Sequence, residues 1–202
     1  MFFRTFVDRN SFKMAHLYII AGCNGAGKTT ASFTILPEML NCKEFVNADE
    51  IARGLSPFNS ESVSIEAGKI MLRRMQELIR AKKDFAFETT LAPRTYVHLV
   101  ELAKSNDYLV TLVFFWLNSP DLAVARVKMR YANGGHDIDE NVVRRRYFSG
   151  LRNLFLLYLP LCNFWMMINN SVTPSELIAE GADNKEVKIH QSRTYNKIVN
   201  YE

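Results

Sequence analysis

The chain predicts a three-layer α/β fold: a parallel sheet of about five strands with helices on both faces, a helical lid, and a C-terminal segment with the pattern of a β-hairpin. Two observations carry that prediction. Apolar runs of strand length alternate with amphipathic segments of helix length along most of the 202 residues, as they do where helices cover both faces of a sheet. Residues 22–29 read Gly-Cys-Asn-Gly-Ala-Gly-Lys-Thr, a full match to the phosphate-loop pattern G-x-x-x-x-G-K-[ST], directly after the apolar run Leu17-Tyr18-Ile19-Ile20-Ala21.

The elements follow in order. A first strand near 16 to 21 must stop where the glycines begin, and Lys28 opens a helix near 28 to 40. A second strand is expected near 44 to 47. The longest crossover helix, near 61 to 82, carries Ala67, Met71, Met75 and Leu78 at spacings of four, four and three, which puts one apolar stripe on the sheet. A strand near 85 to 88 leads to a helix near 94 to 106, with Pro93 at its start. After a strand near 108 to 117, Ser119-Pro120 reads as an N-cap and first helical residue for a helix near 120 to 132. A helix near 139 to 159 and a strand near 163 to 168 close the regular pattern. Beyond Asn169-Asn170 it weakens, with Glu176 to Glu180 and Glu186 to His190 as the arms of a hairpin and the tail as a short helix or loose chain.

Length and a hydrophobic content of 48% fit one domain with one core, expected over residues 15–202 with a lid at about 126–146. Residues 1–14 are expected as an N-terminal extension, and Met14 stands as a candidate start. No apolar run reaches the roughly 18 to 20 residues that span a bilayer, and the first thirteen residues lack the apolar centre of a secretory signal. Three widely spaced cysteines, Cys23, Cys42 and Cys162, form neither a disulfide framework nor a metal cluster. The expected setting is the cytoplasm, away from membranes. The net charge of +4 is small and local: Arg126, Lys128, Arg130, Arg144, Arg145, Arg146 and Arg152 crowd into one region, which suits a polyphosphate in a cleft better than a nucleic acid.

The phosphate loop is the first candidate site. Its glycines 22, 25 and 27 free the backbone N–H groups of Gly22, Cys23, Asn24, Gly25, Ala26, Gly27, Lys28, Thr29 and Thr30 to cradle phosphate oxygens. Lys28 would bridge the terminal phosphates, and Thr29 would offer its hydroxyl to Mg²⁺; the expected cofactors are ATP and Mg²⁺. Cys23 is either an inert loop residue or, if helix amides lower its pKa, a thiol whose alkylation blocks nucleotide.

Ligands of open parallel sheets lie beyond the carboxyl ends of the strands. That rule singles out Asn47 and Asp49 after the second strand, and Glu88 and Thr90 after the third. Asp49 suits a general base for an acceptor hydroxyl or, equally, a helix N-cap; Glu88 suits the substrate side or a magnesium ion held through water; Thr90 is a rival candidate for capping the next helix. Arg126 and Arg130 share a helix face, and Arg144 lies on the stripe of Tyr147, so Arg144 is expected to point inward while at least one of Arg145 and Arg146 is solvated. His136, in the glycine-hinged loop Tyr131 to Asp139, is expected to position the lid or bond phosphate.

These motifs resemble the zeta-toxin-like P-loop kinases, the small bacterial proteins also labelled ABC-type ATPases. The likeness rests on Leu17 to Thr30, on Phe-Val-Asn-Ala-Asp-Glu-Ile-Ala, on Phe-Ala-Phe-Glu-Thr-Thr-Leu, and on the Gly-Gly-His loop leading to Arg-Arg-Arg-Tyr. It covers most of residues 15 to 180 and implies a P-loop NTPase/kinase fold. It also implies transfer of the ATP γ-phosphate to the 3′-hydroxyl of the amino-sugar in UDP-N-acetylglucosamine, with Asp49 as base, Lys28 and Thr29 on nucleotide and metal, and Glu88 and Thr90 at the substrate-side strand end. Arg126, Arg130 and Arg144 become the lid arginines, and an antitoxin becomes a candidate partner. Cys23 and Asp139 stand where such small members carry proline. Two other readings stay open: a kinase of a nucleoside, an antibiotic or a nucleic-acid 5′-hydroxyl, and a non-catalytic ATP-binding module.

Overall fold

The computed structural model describes residues 14–132, 134–135, 138–183 and 186–200. The expected N-terminal extension, apart from Met14, lies outside the described residues, and so does His136. Seven strands form one sheet: β1 (His16–Gly22), β2 (Glu44–Val46), β3 (Phe85–Thr89), β4 (Leu109–Trp116), β5 (Phe164–Asn169), β6 (Glu176–Ala182) and β7 (Lys188–Ile189), in the order β2-β3-β1-β4-β5-β6-β7. The first five run parallel, while β6 pairs antiparallel with β5 and β7 antiparallel with β6. The hairpin therefore continues the main sheet.

Helices α1 (Lys28–Thr34), α2 (Ala48–Leu55), α3 (Ser64–Arg80), α4 (Thr95–Ser105), α5 (Pro120–Ala132), α6 (Glu140–Asn153) and α7 (Ser192–Val199) join and flank the strands. β1 is central, between β3 and β4, and Leu17, Ile19, Ile20 and Ala21 are fully buried, as an unbroken apolar run demands of a strand covered on both faces. The α3 stripe of Ala67, Met71, Met75 and Leu78 is buried as well. Ser119 Oγ accepts from Leu122 N–H at 3.1 Å and so caps α5.

Two helices differ from their sequence pattern for a common reason. α1 widens into a π turn at Ile35–Met39 and α6 into another at Leu154–Tyr158, followed by a 3₁₀ turn at Leu159–Leu161. Pro37 and Pro160 supply no N–H, so the regular ladder cannot continue through them. α2 was expected only through the alternative in which Asp49 caps a helix. Eight residues are too few for a clear period, and its start depends on Asn47, whose Oδ1 accepts from the N–H groups of Asp49 at 2.8 Å and Glu50 at 3.4 Å. Among the described residues no helix is long and apolar enough to cross a membrane.

Candidate active site

β1 delivers the phosphate loop to the carboxyl edge of the sheet, where α1 begins. Gly27 holds φ 80° there, a left-handed value that disfavours any side chain, and a Cβ added to it would stand 2.7 Å from Asn170 Nδ2. Asn170 is just past β5, and its amide donates to the Ala26 carbonyl at 2.7 Å while its Oδ1 accepts from Ser175 Oγ. The loop is thus clamped from the β5 side. On the other flank a Cβ at Gly25 would stand 2.9 Å from the Ala123 carbonyl oxygen and 3.1 Å from Arg126 Cβ, so α5 packs on the loop and carries Arg126 to its rim.

One carboxylate organises the polar groups. Thr29 Oγ1 donates to Glu88 Oε2 at 2.7 Å, Asn47 Nδ2 donates to the same oxygen at 3.0 Å, and Lys28 Nζ lies 3.5 Å from Glu88 Oε1. Lys28 also bends back to donate to the Cys23 carbonyl at 2.9 Å. Lys28 and Glu88 are only 6% and 10% exposed, and an unpaired charge at that depth would be costly. Each has the other as counter-ion.

These residues fit the nucleoside triphosphate and magnesium ion that the motif implies. A loop bent by three glycines of positive φ presents backbone N–H groups, an ammonium crosses it, and a hydroxyl and a carboxylate offer hard oxygen donors 2.7 Å apart. Among the described residues no group of three or more His, Cys, Asp or Glu gathers to hold a metal. A cation here would rest on Thr29 and Glu88, with phosphate oxygens and water completing its shell.

Beside the loop a cleft of about 140 Å³ brings together Asn24 and Lys28, Asn47 and Asp49, Glu88 and Thr90, and Arg146 of α6. A roomier hollow, about 450 Å³, lies at the β2 edge, but Arg74 there is already paired with Glu44 and Glu77 and no phosphate loop borders it. The cleft therefore gathers residues that lie far apart along the chain. Asp49 is not the cap of α2, since Asn47 is; its side chain lines the cleft, and its charge raises the Tyr96 phenol pKa further after burial has raised it. Thr90 does not cap α4 either. Its Oγ1 accepts from Ala92 N–H at 3.4 Å, within the turn that precedes the helix.

Two expectations, for Arg144 and Arg130, need correction or relocation. Arg144 does not point inward: its Nη2 lies 2.6 Å from Asp121 and 2.8 Å from Glu140, on the outer side where α5 meets α6. The inward arginine is Arg146, one that the spacing argument did not single out, while Arg145 is exposed. Arg130 is exposed at the end of α5, where its carbonyl accepts from Gly135 N–H at 2.9 Å. Cys23 is the inert alternative; burial pushes its thiol up to about 11, outweighing the lowering by Lys28 and Arg126. Sequence reasoning also missed Asn170, although the strand-end rule that selected Asn47 applies to it equally.

A family model, Zeta toxin, matches residues 5–154, well over half of the chain. The chain belongs to the zeta toxin family. An uncharacterized protein of Haemophilus influenzae is 31% identical over 127 residues, which span 62% of this chain and 88% of that one. Among solved structures, the AvrRxo1-ORF1:-ORF2 complex with ATP superposes at a TM-score of 0.74 and 16% identity, covering 92% of this chain. This chain spans 64% of that one's length. The PezAT chromosomal toxin–antitoxin system of Streptococcus pneumoniae superposes at 0.65 and 15% identity, covering 96% of this chain and 83% of its own. At such identities the likeness is one of fold. Family membership and a P-loop kinase fold together support an ATP-dependent phosphotransferase.

Proposed function

We propose that the protein transfers the γ-phosphoryl group of ATP to a hydroxyl of a UDP-N-acetyl-sugar, as a UDP-N-acetylglucosamine kinase. The observation that carries this reading is a single cleft in which the Asp49 carboxylate shares walls with the Lys28–Glu88 pair of the phosphate loop. When bound, ATP supplies the phosphoryl group and Mg²⁺ neutralises its charge. The loop amides and Lys28 hold the phosphate tail, and Thr29 with Glu88 holds the ion. Asp49 orients the acceptor hydroxyl and takes its proton as the new oxygen–phosphorus bond forms and the bond to ADP breaks. Thr90, Asn47 and, beyond the described residues, His136 serve the acceptor and lid, while Arg126 at the loop rim faces the phosphates. The choice of a UDP-sugar and of a cytoplasmic setting rests on the family resemblance, as does an antitoxin partner of the kind paired in PezAT.

The test is transfer from labelled ATP. Wild-type protein with UDP-N-acetylglucosamine should yield ADP and a labelled sugar nucleotide. Asp49→Asn should lower turnover at least 100-fold, the usual scale of general-base loss, yet keep ATP affinity within about threefold. Robust turnover by Asp49→Asn would remove the base assignment. Label passing to nucleosides or nucleic-acid ends but not to UDP-sugars would replace the acceptor, and ATP binding without transfer to any of them would leave a binding module.

A further inference from the structure

The turn after β3 carries an unusual backbone. Leu91 holds φ 60°, a left-handed value that disfavours a bulky side chain, and it is fully buried. The other non-glycine residues of positive φ among the described residues, Asn41, Lys82 and Asp107, are all exposed. A buried leucine keeps such a conformation only where its surroundings fix it. Two hydrogen bonds come from within the turn: Thr89 Oγ1 accepts from Leu91 N–H at 3.0 Å, and Thr90 Oγ1 accepts from Ala92 N–H at 3.4 Å.

The remaining support comes from α6 and the widened turn that follows it. Asn153, only 2% exposed, donates its amide to the Leu91 carbonyl at 2.8 Å and to the Ala92 carbonyl at 3.2 Å. The Tyr158 hydroxyl donates to the Pro93 carbonyl at 3.0 Å, and a Cβ added at Gly150 would stand 2.5 Å from the Thr90 carbonyl oxygen. Four consecutive carbonyls, 90 to 93, are thus held by one helical segment. In an unbroken α-helix residues five apart point about 140° away from each other. The π turn at Leu154–Tyr158 bonds residues five apart, Leu159 N–H to the Leu154 carbonyl, and so brings Tyr158 round to the face of Asn153. With those carbonyls engaged by α6, Thr90 and Pro93 line the cleft that also holds Asp49, while Asn153 does not reach it.

We propose that Asn153 is a positioning residue for the acceptor: it holds Leu91 left-handed and, through that turn, keeps the Thr90 side chain aimed into the cleft beside Asp49. The proposal rests on the phosphotransfer reading, with UDP-N-acetylglucosamine as acceptor. Without the Asn153 amide two neighbouring carbonyls lose their side-chain donor, and the turn relaxes toward an ordinary backbone conformation that carries Thr90 away from the acceptor. None of these hydrogen bonds involves a phosphate-loop residue, so the effect falls on the acceptor and spares ATP.

The experiment follows steady-state transfer from labelled ATP to UDP-N-acetylglucosamine, with ATP binding measured by calorimetry. Asn153→Ala should raise the acceptor KM about tenfold or more, change kcat less than about threefold and leave ATP affinity within about threefold. A double-mutant cycle tests the route: in a Thr90→Val background the same substitution should raise KM less than about twofold further, because the group it positions is gone. Should Asn153→Ala fail to fold, Tyr158→Phe removes the neighbouring donor to the same turn and should raise the acceptor KM about threefold, again only while Thr90 is present. An acceptor KM that stays at the wild-type value, an equal loss of ATP affinity, or an effect that multiplies with that of Thr90→Val makes Asn153 merely structural and overturns the proposal alone. A wild-type protein that passes no label to UDP-N-acetylglucosamine overturns the acceptor reading and this proposal with it.

Discussion

Glu88 holds three groups at once: the Thr29 hydroxyl, the Asn47 amide and, at longer range, the Lys28 ammonium. Its neighbours set the tolerance of the site to single substitutions. Asn170 makes one hydrogen bond to the Ala26 carbonyl and backs Gly27 with no room to spare. Asn170→Ala should weaken ATP about fivefold to tenfold, the size of one hydrogen bond of about 1 kcal/mol, with the melting temperature of the ligand-free protein little changed. Isothermal titration checks it. Cys23 gives a pH-dependent expectation: with its thiol pushed up to about 11, thiolate is scarce at neutral pH, and alkylation should quicken about tenfold per pH unit until that value is approached. A rate that levels off near pH 8 would contradict the burial argument. The phosphate-loop residues were legible from the chain because their motif is local. Arg146 was not, because a run of three arginines does not say which one a neighbouring strand leaves room for.

Elements were legible where their pattern was long. β1, β3, β4, β5, α3 and α5 lie within a few residues of their expected bounds, since each carries an apolar run, a stripe or a proline signal. α2 entered only as an alternative, with the wrong cap, because it is short and its true cap, Asn47, also faces the cleft. The contact of α6 with the end of β3 is the element-scale feature with the largest consequence. Gly150→Ala would put a Cβ 2.5 Å from the Thr90 carbonyl oxygen, so α6 must shift outward. We expect a loss of about 1–3 kcal/mol in urea unfolding, the usual range for overpacking. Transfer activity should fall further than stability, because Thr90 of the cleft rests on that helix.

For the whole molecule, nucleotide binding and folding are linked. ATP with Mg²⁺ at 100 times its dissociation constant should stabilise the protein by about 2.7 kcal/mol, raising the melting temperature, and Lys28→Ala should abolish the rise. A thermal scan with and without nucleotide decides it. Alkali should act in the opposite direction. Burial raises the thiols of Cys23 to about 11 and of Cys42 and Cys162 to about 12. The unfolded chain therefore loses these protons first, so the stability they contribute is complete below about pH 9, the ordinary thiol value, and declines as pH rises through 11 to 12. Urea midpoints measured under reducing conditions should fall steadily above pH 9.

Read as a string of residues, the chain specified a covered parallel sheet, a phosphate loop between a strand and a helix, and a set of polar residues at strand ends, because each is written in short-range spacing. Folding chose the partners. Ile20 pairs with Glu88 across β1 and β3, and this register sets a carboxylate beside a loop hydroxyl 59 residues away in sequence. Asn47 caps α2 and thereby leaves Asp49 to the cleft. The close seat of Gly150 turned Arg146 inward and left Arg144 to the ion pairs outside. Such choices depend on strand register and on the clearance between packed backbones, quantities that no local pattern encodes.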